Sequence, residues 1–445
     1  MTLHFGSSGI RGKYAETITP ETAFELAKVL TSSLGLKLAL GRDPRLSGPV
    51  LKASFLSAAL QAGAEITDYD LIPTPALAYQ AGNTGESGGV MITASHNPAE
   101  YNGFKIFNSK GESLDDPSFL SATSGKEKGK TGPDVGRISQ GYPDEYLERL
   151  SGIKFEKSWK VVLDPGNGAT CNLAPKIFRD AVGRATSINS TPDGGFTGRG
   201  SEPTRDSMKM LSKIVAETHA DAGIGFDGDG DRVYIVDEKG VCPLQDRILG
   251  AYLTFLASES KGPFLVPVDS SMAVDEAVAK TDARLVRGPV GDAKLLVEMR
   301  KEGGIFAGEP SGAWIHGEYH PCPDGILSGL LFLKQIEKLD LTVSKSIENI
   351  PEYHMVRKSI SPPGKTSRLD DEKLSNGLRK IIGEDVVIET RFGVRASSND
   401  AWVLVRESGT EPVIRVTAES KQPSVANKIV SETEALIGRI SKGEN

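Results

Sequence analysis

The chain has 445 residues, 38% hydrophobic and 25% charged, with a formal net charge of −7. That length outgrows a single core and sets an expectation of about three or four domains. The acidic balance argues against a nucleic-acid partner and leaves room for a small anion held by a local cluster of arginines. Cys171, Cys242 and Cys322 are scattered and form no CxxC pair, so neither a disulfide framework nor a zinc site is expected. "MTLHFGSSGIRG" has no basic-then-apolar leader pattern, and the longest apolar stretch, 248–257, is too short to span a bilayer. A cytoplasmic protein with no membrane partner is the expectation.

In chain order, "TPETAFELAKVLTSSLG" predicts a helix with Thr19 as N-cap, Pro20 at its first position and Gly35 as its stop. Phe24, Ala27 and Leu30 give that helix an apolar stripe. "SGPVLKASFLSAALQAG" repeats the format from Ser47 to Gly63. Between the two, "LALGRDPR" reads as a buried strand that ends in a charged loop. This strand format recurs in "VVLDPGNG" (161–168) and "FLVPVDSS" (264–271). Each is followed by a second strand with a polar end: "GVMITASHNP" (89–98), "AGIGFDGDGDR" (222–232) and "GGIFAGEPSG" (303–312). Three tandem α/β units follow, with boundaries at 1–150, 151–249 and 250–357. Ligands of such sheets gather outside the carboxyl ends of the strands, where the polar loops lie. "SISPPGKTSRLDD" reads as a linker, and 366–445 as a small fourth domain with strands "VVIET", "AWVLVRES" and "VIRVTAES" and a final helix.

Four loops carry chemistry. In "GFDGDGDR", Asp227, Asp229 and Asp231 alternate with glycines, so three mutually repelling carboxylates can face one cation. Magnesium fits this all-oxygen set, and Arg232 is a candidate for a substrate phosphate or sugar. In "RESGTEPVIRV", Arg406 and Arg415 bracket Ser408, Gly409 and Thr410, a donor set suited to a dianionic phosphate. In "AGEPSG", Glu309 and Ser311 are either ligands for vicinal sugar hydroxyls or parts of a plain loop. In "GVMITASHNP", Ser95 is either a loop serine or the carrier of a phosphoryl group that a cation on the aspartates would neutralise. His96, its sequence neighbour, is poorly arranged as its base. Lys105 is either a proton shuttle for that group or a snorkelling surface lysine.

Taken together and in this order, the loops resemble the α-D-phosphohexomutases over almost the whole chain. "TASHNP" is similar to that family's phosphoserine loop, "DGDGDR" to its magnesium loop, "GEPSG" to its sugar loop and "RESGTEP" to its phosphate loop. "FGSSGIRG" and "GRDPRLSG" resemble its first-domain signatures. The resemblance implies an α/β fold of three mixed-sheet domains and a smaller C-terminal α+β domain around a central cleft. It implies transfer from phosphorylated Ser95 to a hexose phosphate through a bound 1,6-bisphosphate, which also serves as primer. Mg²⁺ would sit on Ser95, Asp227, Asp229 and Asp231, with Arg11 and Lys105 at the reacting centre. Glu309 and Ser311 would hold the sugar, and Arg406, Ser408, Gly409, Thr410 and Arg415 the idle phosphate. A fourth domain moving on Pro362, Pro363 and Gly364 would open the cleft, in a monomer or homodimer.

Two departures bear on the substrate. Ala313 stands where many members carry the histidine of Ser-Gly-His, leaving His316 as a possible stand-in, and Asp292 stands where glucose- and mannose-phosphate mutases often have histidine. Both resemble the archaeal-type phosphoglucosamine branch, so glucosamine 6-phosphate is the expected substrate. A broad phosphomannomutase/phosphoglucomutase is the alternative. A magnesium phosphatase with an aspartate nucleophile and a silent sugar-phosphate-binding protein are the readings from other classes. Glu407 replaces the family's more usual proline and would place a negative charge beside the phosphate site.

Overall fold

Among the residues that the computed structural model describes (5–6, 9–114, 135–361, 369–383, 385–407 and 413–442), the chain forms four sheets. The first contains β1 (Phe5–Gly6), β2 (Gly9–Lys13), β3 (Lys37–Arg42), β4 (Glu65–Leu71), β5 (Gly88–Ile92), β6 (Tyr101–Asn108) and β7 (Arg137–Gln140). Its order is β1-β2-β6-β5-β3-β4-β7. The second contains β8 (Trp159–Asp164), β9 (Gly183–Ser187), β10 (Ala222–Phe226) and β11 (Val233–Val236), in the order β11-β10-β8-β9. The third contains β12 (Phe264–Pro267), β13 (Leu285–Gly288), β14 (Phe306–Gly308) and β15 (Trp314–His316), in the order β13-β12-β14-β15.

One plan runs through all three sheets. The two strands read from the sequence in each unit are parallel neighbours: β3 with β5, β8 with β10 and β12 with β14. An antiparallel strand then lies beside the second of them: β6, β11 and β15. The serine, aspartate and sugar loops therefore occupy the same place in each unit, at the carboxyl end of the second strand. β1, β2 and β7 are additions to the first sheet.

The helices follow local chemistry. Thr19 caps the helix Pro20–Ser33 through a capping box with Thr22. The buried stripe of that helix is Ala23, Leu26, Ala27 and Leu30, and Phe24 lies half-buried at its edge. Ser47 precedes the helix Gly48–Gln61 without capping it; its Oγ accepts from Asn102 Nδ2 at 2.8 Å and ties the helix to β6.

The fourth sheet is antiparallel: β16 (His354–Ile360), β17 (Val387–Glu389), β18 (Val394–Ser397), β19 (Ala401–Glu407) and β20 (Ile414–Ser420), in the order β16-β20-β19-β18-β17. β16 pairs with β20 along its length, so the chain enters this sheet before residue 354. The boundary expected at 357 falls inside that strand. The Pro-Pro-Gly stretch lies beyond it, outside the described residues, and so does not join the third domain to the fourth. The backbone hydrogen bonds of residues 354–360 go to β20, and that pairing decides the domain to which they belong.

A continuous core runs from the first domain into the third, including Met91, Phe107, Trp159, Phe178, Tyr252 and Trp314. The fourth domain has its own core around Leu378, Val403, Val416 and Ile437. Val268 and Met272 of the third domain meet Trp402 and Leu404 of the fourth in a small separate cluster. Among the described residues, no helix is long and apolar enough to cross a membrane.

Candidate active site

β5 delivers Ser95 into a buried turn, where it adopts a left-handed conformation (φ 52°) that is unusual for a side-chain-bearing residue. The surroundings hold it there. Its N–H donates to Thr93 Oγ1 at 2.8 Å, and the Thr93 hydroxyl donates to Asp43 Oδ2 at 2.7 Å. Arg45, with no exposed surface, donates from Nε to the same Asp43 oxygen at 2.9 Å. Its two other nitrogens reach the carbonyls of Ser95, Asn97, Pro98 and Tyr101. Phe196, from the second domain, lies under the Arg45 guanidinium at 5.0 Å. The Ser201 hydroxyl completes the clamp through the carbonyls of His96 and Asn97, at 2.8 and 2.7 Å.

So held, Ser95 Oγ donates to Asp227 Oδ2 at 2.8 Å. Asp227 Oδ1 accepts from the N–H groups of Gly230 and Arg232, at 3.0 and 3.1 Å. The two loops touch at backbone distance: a Cβ on Gly228 would lie 2.6 Å from the Ser95 carbonyl oxygen. Gly230 turns the loop at φ 81°, which a residue without Cβ adopts freely.

Ligand atoms of Asp227, Asp229 and Asp231 lie within 4.8 Å of one another, and all three residues are buried. Asp229 Oδ2 accepts from Thr74 Oγ1 and from Lys105 Nζ, the latter at 2.7 Å; Lys105 also pairs with Asp231. Lys105 is 2% exposed, so it is not a surface lysine. Burial works against its charge, but Asp229 and Asp231 outweigh burial and hold it as an ammonium. Burial raises the Asp227 carboxyl well above the usual range, with Asp231 and Asp229 adding to the effect. Burial also works to raise Asp229, but Lys105 overrides it and keeps that carboxylate charged.

Asp229 Oδ1 and Asp231 Oδ1 are buried without a hydrogen-bond partner. An orphaned acceptor of this kind costs about 1–3 kcal/mol. A small cation with oxygen ligands at about 2.0–2.1 Å would satisfy both and draw the trio slightly together. The residues fit a magnesium-type ion.

His96 Nδ1 lies 3.3 Å from Ser95 Oγ. Burial, with the charges of Arg232 and Arg11, lowers its pKa to about 2 and keeps the ring neutral. Arg11 reaches Asn97 Oδ1 at 3.3 Å from the neighbouring strand β2. Arg232 faces Glu202 at 3.6 Å.

The sugar-loop candidates lie against this centre. Val233 N–H donates to Gly312 O at 3.1 Å, and Arg232 bridges to Ala313, so aspartate loop and sugar loop are stitched together. Glu309 accepts from the Gly291 N–H at 2.9 Å and from the Ser311 hydroxyl at 3.0 Å. Burial, with Asp292 adding and Arg232 opposing, pushes its carboxyl up to about 7. A cleft of about 360 Å³ opens between the third and fourth domains, with Glu309, Ser311 and Asp269 on one wall and Arg357, Arg406 and Arg415 on the other. Arg406 and Arg415 are direct cross-strand partners on β19 and β20. Side by side, they would repel without an anion between them.

The structure thus gathers Ser95, Lys105, Arg11, Asp227, Asp229, Asp231 and Arg232 at one end, and Glu309, Ser311, Arg406 and Arg415 along one cleft. Ser408, Gly409 and Thr410 lie outside the described residues. His316 does not stand in for the histidine absent at Ala313. It is buried among Tyr252, Phe306 and Tyr319, with Nε2 3.1 Å from Ser328 Oγ and Nδ1 3.4 Å from Tyr252 Oη. Glu407 does not line the arginine cleft, because neighbouring strand residues face opposite ways.

Sequence reasoning missed Arg45, Asp43, Thr93 and Thr74, which hold the loops, and Arg357 and Asp269, which line the cleft. "GRDPR" was visible as a charged strand end and gave no hint that its second arginine turns inward. Asp269 ends an apolar strand, the signal used for the other loops. Arg357 carries no motif at all.

Comparison with known proteins agrees with this geometry. The four domains of the phosphoglucomutase/phosphomannomutase family match residues 2–121, 144–240, 245–353 and 366–436: three alpha/beta/alpha domains and the C-terminal domain. The chain is 36% identical over 448 residues to a protein named "Probable phosphoglucosamine mutase" from Pyrococcus abyssi, covering 98% of each. It is 35% identical over 450 residues to the "Phosphoglucosamine mutase" of Methanococcus aeolicus, covering 97% of this chain and 98% of that one. In fold it resembles a phosphoglucomutase/phosphomannomutase family protein from Burkholderia thailandensis (TM-score 0.85, 24% identity, 99% of this chain and 98% of that one). It also resembles the Aspergillus fumigatus N-acetylphosphoglucosamine mutase solved with GlcNAc-6P and magnesium (TM-score 0.64, 14% identity, 99% of this chain and 96% of that one). The chain belongs to the phosphoglucomutase/phosphomannomutase family.

Proposed function

We propose that this protein interconverts glucosamine 6-phosphate and glucosamine 1-phosphate through phosphorylated Ser95 and a bound 1,6-bisphosphate. The observation that carries the reading is the Ser95 hydroxyl, fixed 2.8 Å from Asp227 in the loop that Arg232 bridges to the sugar loop, itself one wall of a cleft whose other wall holds Arg357, Arg406 and Arg415. One end can exchange a phosphoryl group while the other grips the phosphate that does not react.

In the first half-reaction the Ser95 Oγ–P bond breaks and a P–O bond forms to O1, whose hydroxyl proton passes to solvent. In the second, the P–O6 bond breaks, the Ser95 Oγ–P bond forms again, and O6 takes a proton. Lys105, held as an ammonium, is the donor for that step and recovers its proton from solvent. Phosphoryl transfer of this kind is mostly positioning and charge neutralisation. Bound on Asp227, Asp229 and Asp231, Mg²⁺ supplies neutralisation of the phosphoryl oxygens. Arg11 and Arg232 add positive charge beside the same centre. Glu309 and Ser311 hold sugar hydroxyls, and Arg406 and Arg415 hold the idle phosphate together with Ser408, Gly409 and Thr410. A sugar 1,6-bisphosphate primes the unphosphorylated enzyme.

The choice of glucosamine rests on the names of the full-length relatives and on the carboxylate of Asp292 near the reacting centre. A coupled mutase assay with Mg²⁺ and bisphosphate primer tests it by comparing kcat/KM for glucosamine, glucose and mannose phosphates. A preference of about tenfold or more for glucosamine phosphate is expected, the scale of one charge-assisted contact. Equal rates on glucose and mannose phosphates would make the enzyme a general hexose-phosphate mutase.

A further inference from the structure

One serine faces one cluster of arginines, so a sugar that exchanges phosphate at both C1 and C6 must bind in two opposed orientations. In an amino sugar the charged nitrogen sits on C2, beside C1. With the 6-phosphate on the arginines, C1 points at Ser95 and the ammonium lies at the reacting end. After the turnaround the 1-phosphate is on the arginines and the ammonium lies at the arginine end. A site selective for this substrate needs a carboxylate at each end.

The cleft has both. Asp292 begins the helix Asp292–Lys301, next to Gly291, whose N–H bonds Glu309. It is near enough to Lys105, Asp231 and Glu309 for its charge to act on all three. Asp269 follows β12 and lines the arginine cleft, with Oδ2 4.0 Å from Arg406 Nη2 and a side chain 18% exposed. A carboxylate in a phosphate site weakens phosphate binding by like-charge repulsion unless the ligand brings a cation to it. Three arginines with one carboxylate among them complement a zwitterion, a phosphate with an ammonium beside it, better than a phosphate alone.

We infer that Asp292 and Asp269 divide the recognition of the amino group between the two orientations, Asp292 serving glucosamine 6-phosphate and Asp269 serving glucosamine 1-phosphate. This rests on the amino-sugar reading above.

Equilibrium binding tests the division, because the forward and reverse kcat/KM of one reaction are tied by its equilibrium constant. Full-length Ser95→Ala protein with Mg²⁺ is titrated calorimetrically with the 6- and 1-phosphates of glucosamine and of glucose. Added to that background, Asp292→Asn is expected to weaken glucosamine 6-phosphate about tenfold, and Asp269→Asn to weaken glucosamine 1-phosphate about tenfold. Neither variant weakens the other isomer or the glucose phosphates; Asp269→Asn tightens the ligands whose phosphate meets the arginines without an ammonium beside it, and binding of the glucose phosphates reports that the variant is folded. If the Ser95→Ala protein binds glucosamine and glucose phosphates equally, the amino-sugar reading fails and the division with it. If it prefers the amino sugars but each aspartate variant weakens both isomers alike, or weakens glucose phosphates as much, the division alone is overturned.

Discussion

A guanidinium carries five N–H donors in a rigid planar fork, and Arg45 uses all of them within one small region. Four bonds run to carbonyls of the serine loop and the fifth to Asp43, which holds Thr93 and through it the Ser95 N–H. A left-handed serine costs of order 1–3 kcal/mol and persists only where its surroundings over-determine it. Lysine has no planar fork and would leave several of these carbonyls unpaired. Arg45→Lys is therefore expected to lower kcat about a hundredfold through misplacement of Ser95 Oγ, with KM within about twofold, since Arg45 lines no part of the arginine cleft. Steady-state kinetics check the split. A rise in KM at unchanged kcat would assign Arg45 to substrate binding instead.

At the scale of elements, the same four strands recur in three sheets, and the reacting groups sit in the hairpin after the second strand of each. Much of this was legible. Apolar runs that break at polar loops have one reading in an α/β chain, and the six segments so identified are strands; that the two of each unit are parallel neighbours came from the structure. The alternation of aspartate and glycine pointed to a shared ion, and the orphaned oxygens of Asp229 and Asp231 fit one. What the sequence hid was inward-facing charge. Nothing in the local pattern distinguishes the buried Arg45 and Lys105 from exposed cations, because their burial depends on partners 50 or more residues away. β16 was hidden for another reason: the third domain was read as ending at Arg357 and the linker as starting at Ser359, because exposed polar residues interrupt the apolar pattern here, although an edge strand carries such residues ordinarily.

β15 supplies a test at this scale. Burial, with His320 adding, lowers the pKa of His316 to about 3 from 6.5. Between these values the unfolded chain takes up a proton that the folded chain refuses. The contribution of neutral His316 is thus complete above pH 6.5 and is lost as the pH falls toward 3. At pH 4 the loss is of order 3 kcal/mol. Urea unfolding from pH 7 to 4 should show His316→Gln less sensitive to acid than the parent by about that amount. Identical pH dependence in the two proteins would mean that His316 does not stay neutral in the fold.

At the scale of the molecule, the first three domains share one core, whereas the fourth packs against the third through a small cluster around Trp402. Glu419 adds a polar tie there, accepting from the Met272 N–H at 2.7 Å and from Trp402 Nε1 at 2.8 Å. The arginine cleft lies along this seam, so under the proposed function the phosphate that does not react would be held at the domain with the fewest ties, while Ser95 and the aspartates belong to the continuous part. That division suits a reaction in which one centre stays fixed while the ligand turns. The central claim is that Ser95 carries the phosphoryl group between the two ends, and mass spectrometry of the protein after exposure to a glucosamine or glucose 1,6-bisphosphate tests it most directly. The account predicts one phosphoryl group, located on Ser95, that is discharged by glucosamine 6-phosphate without release of inorganic phosphate. A label on Asp227, Asp229 or Asp231, or discharge to free phosphate, would contradict it and make the protein a phosphatase.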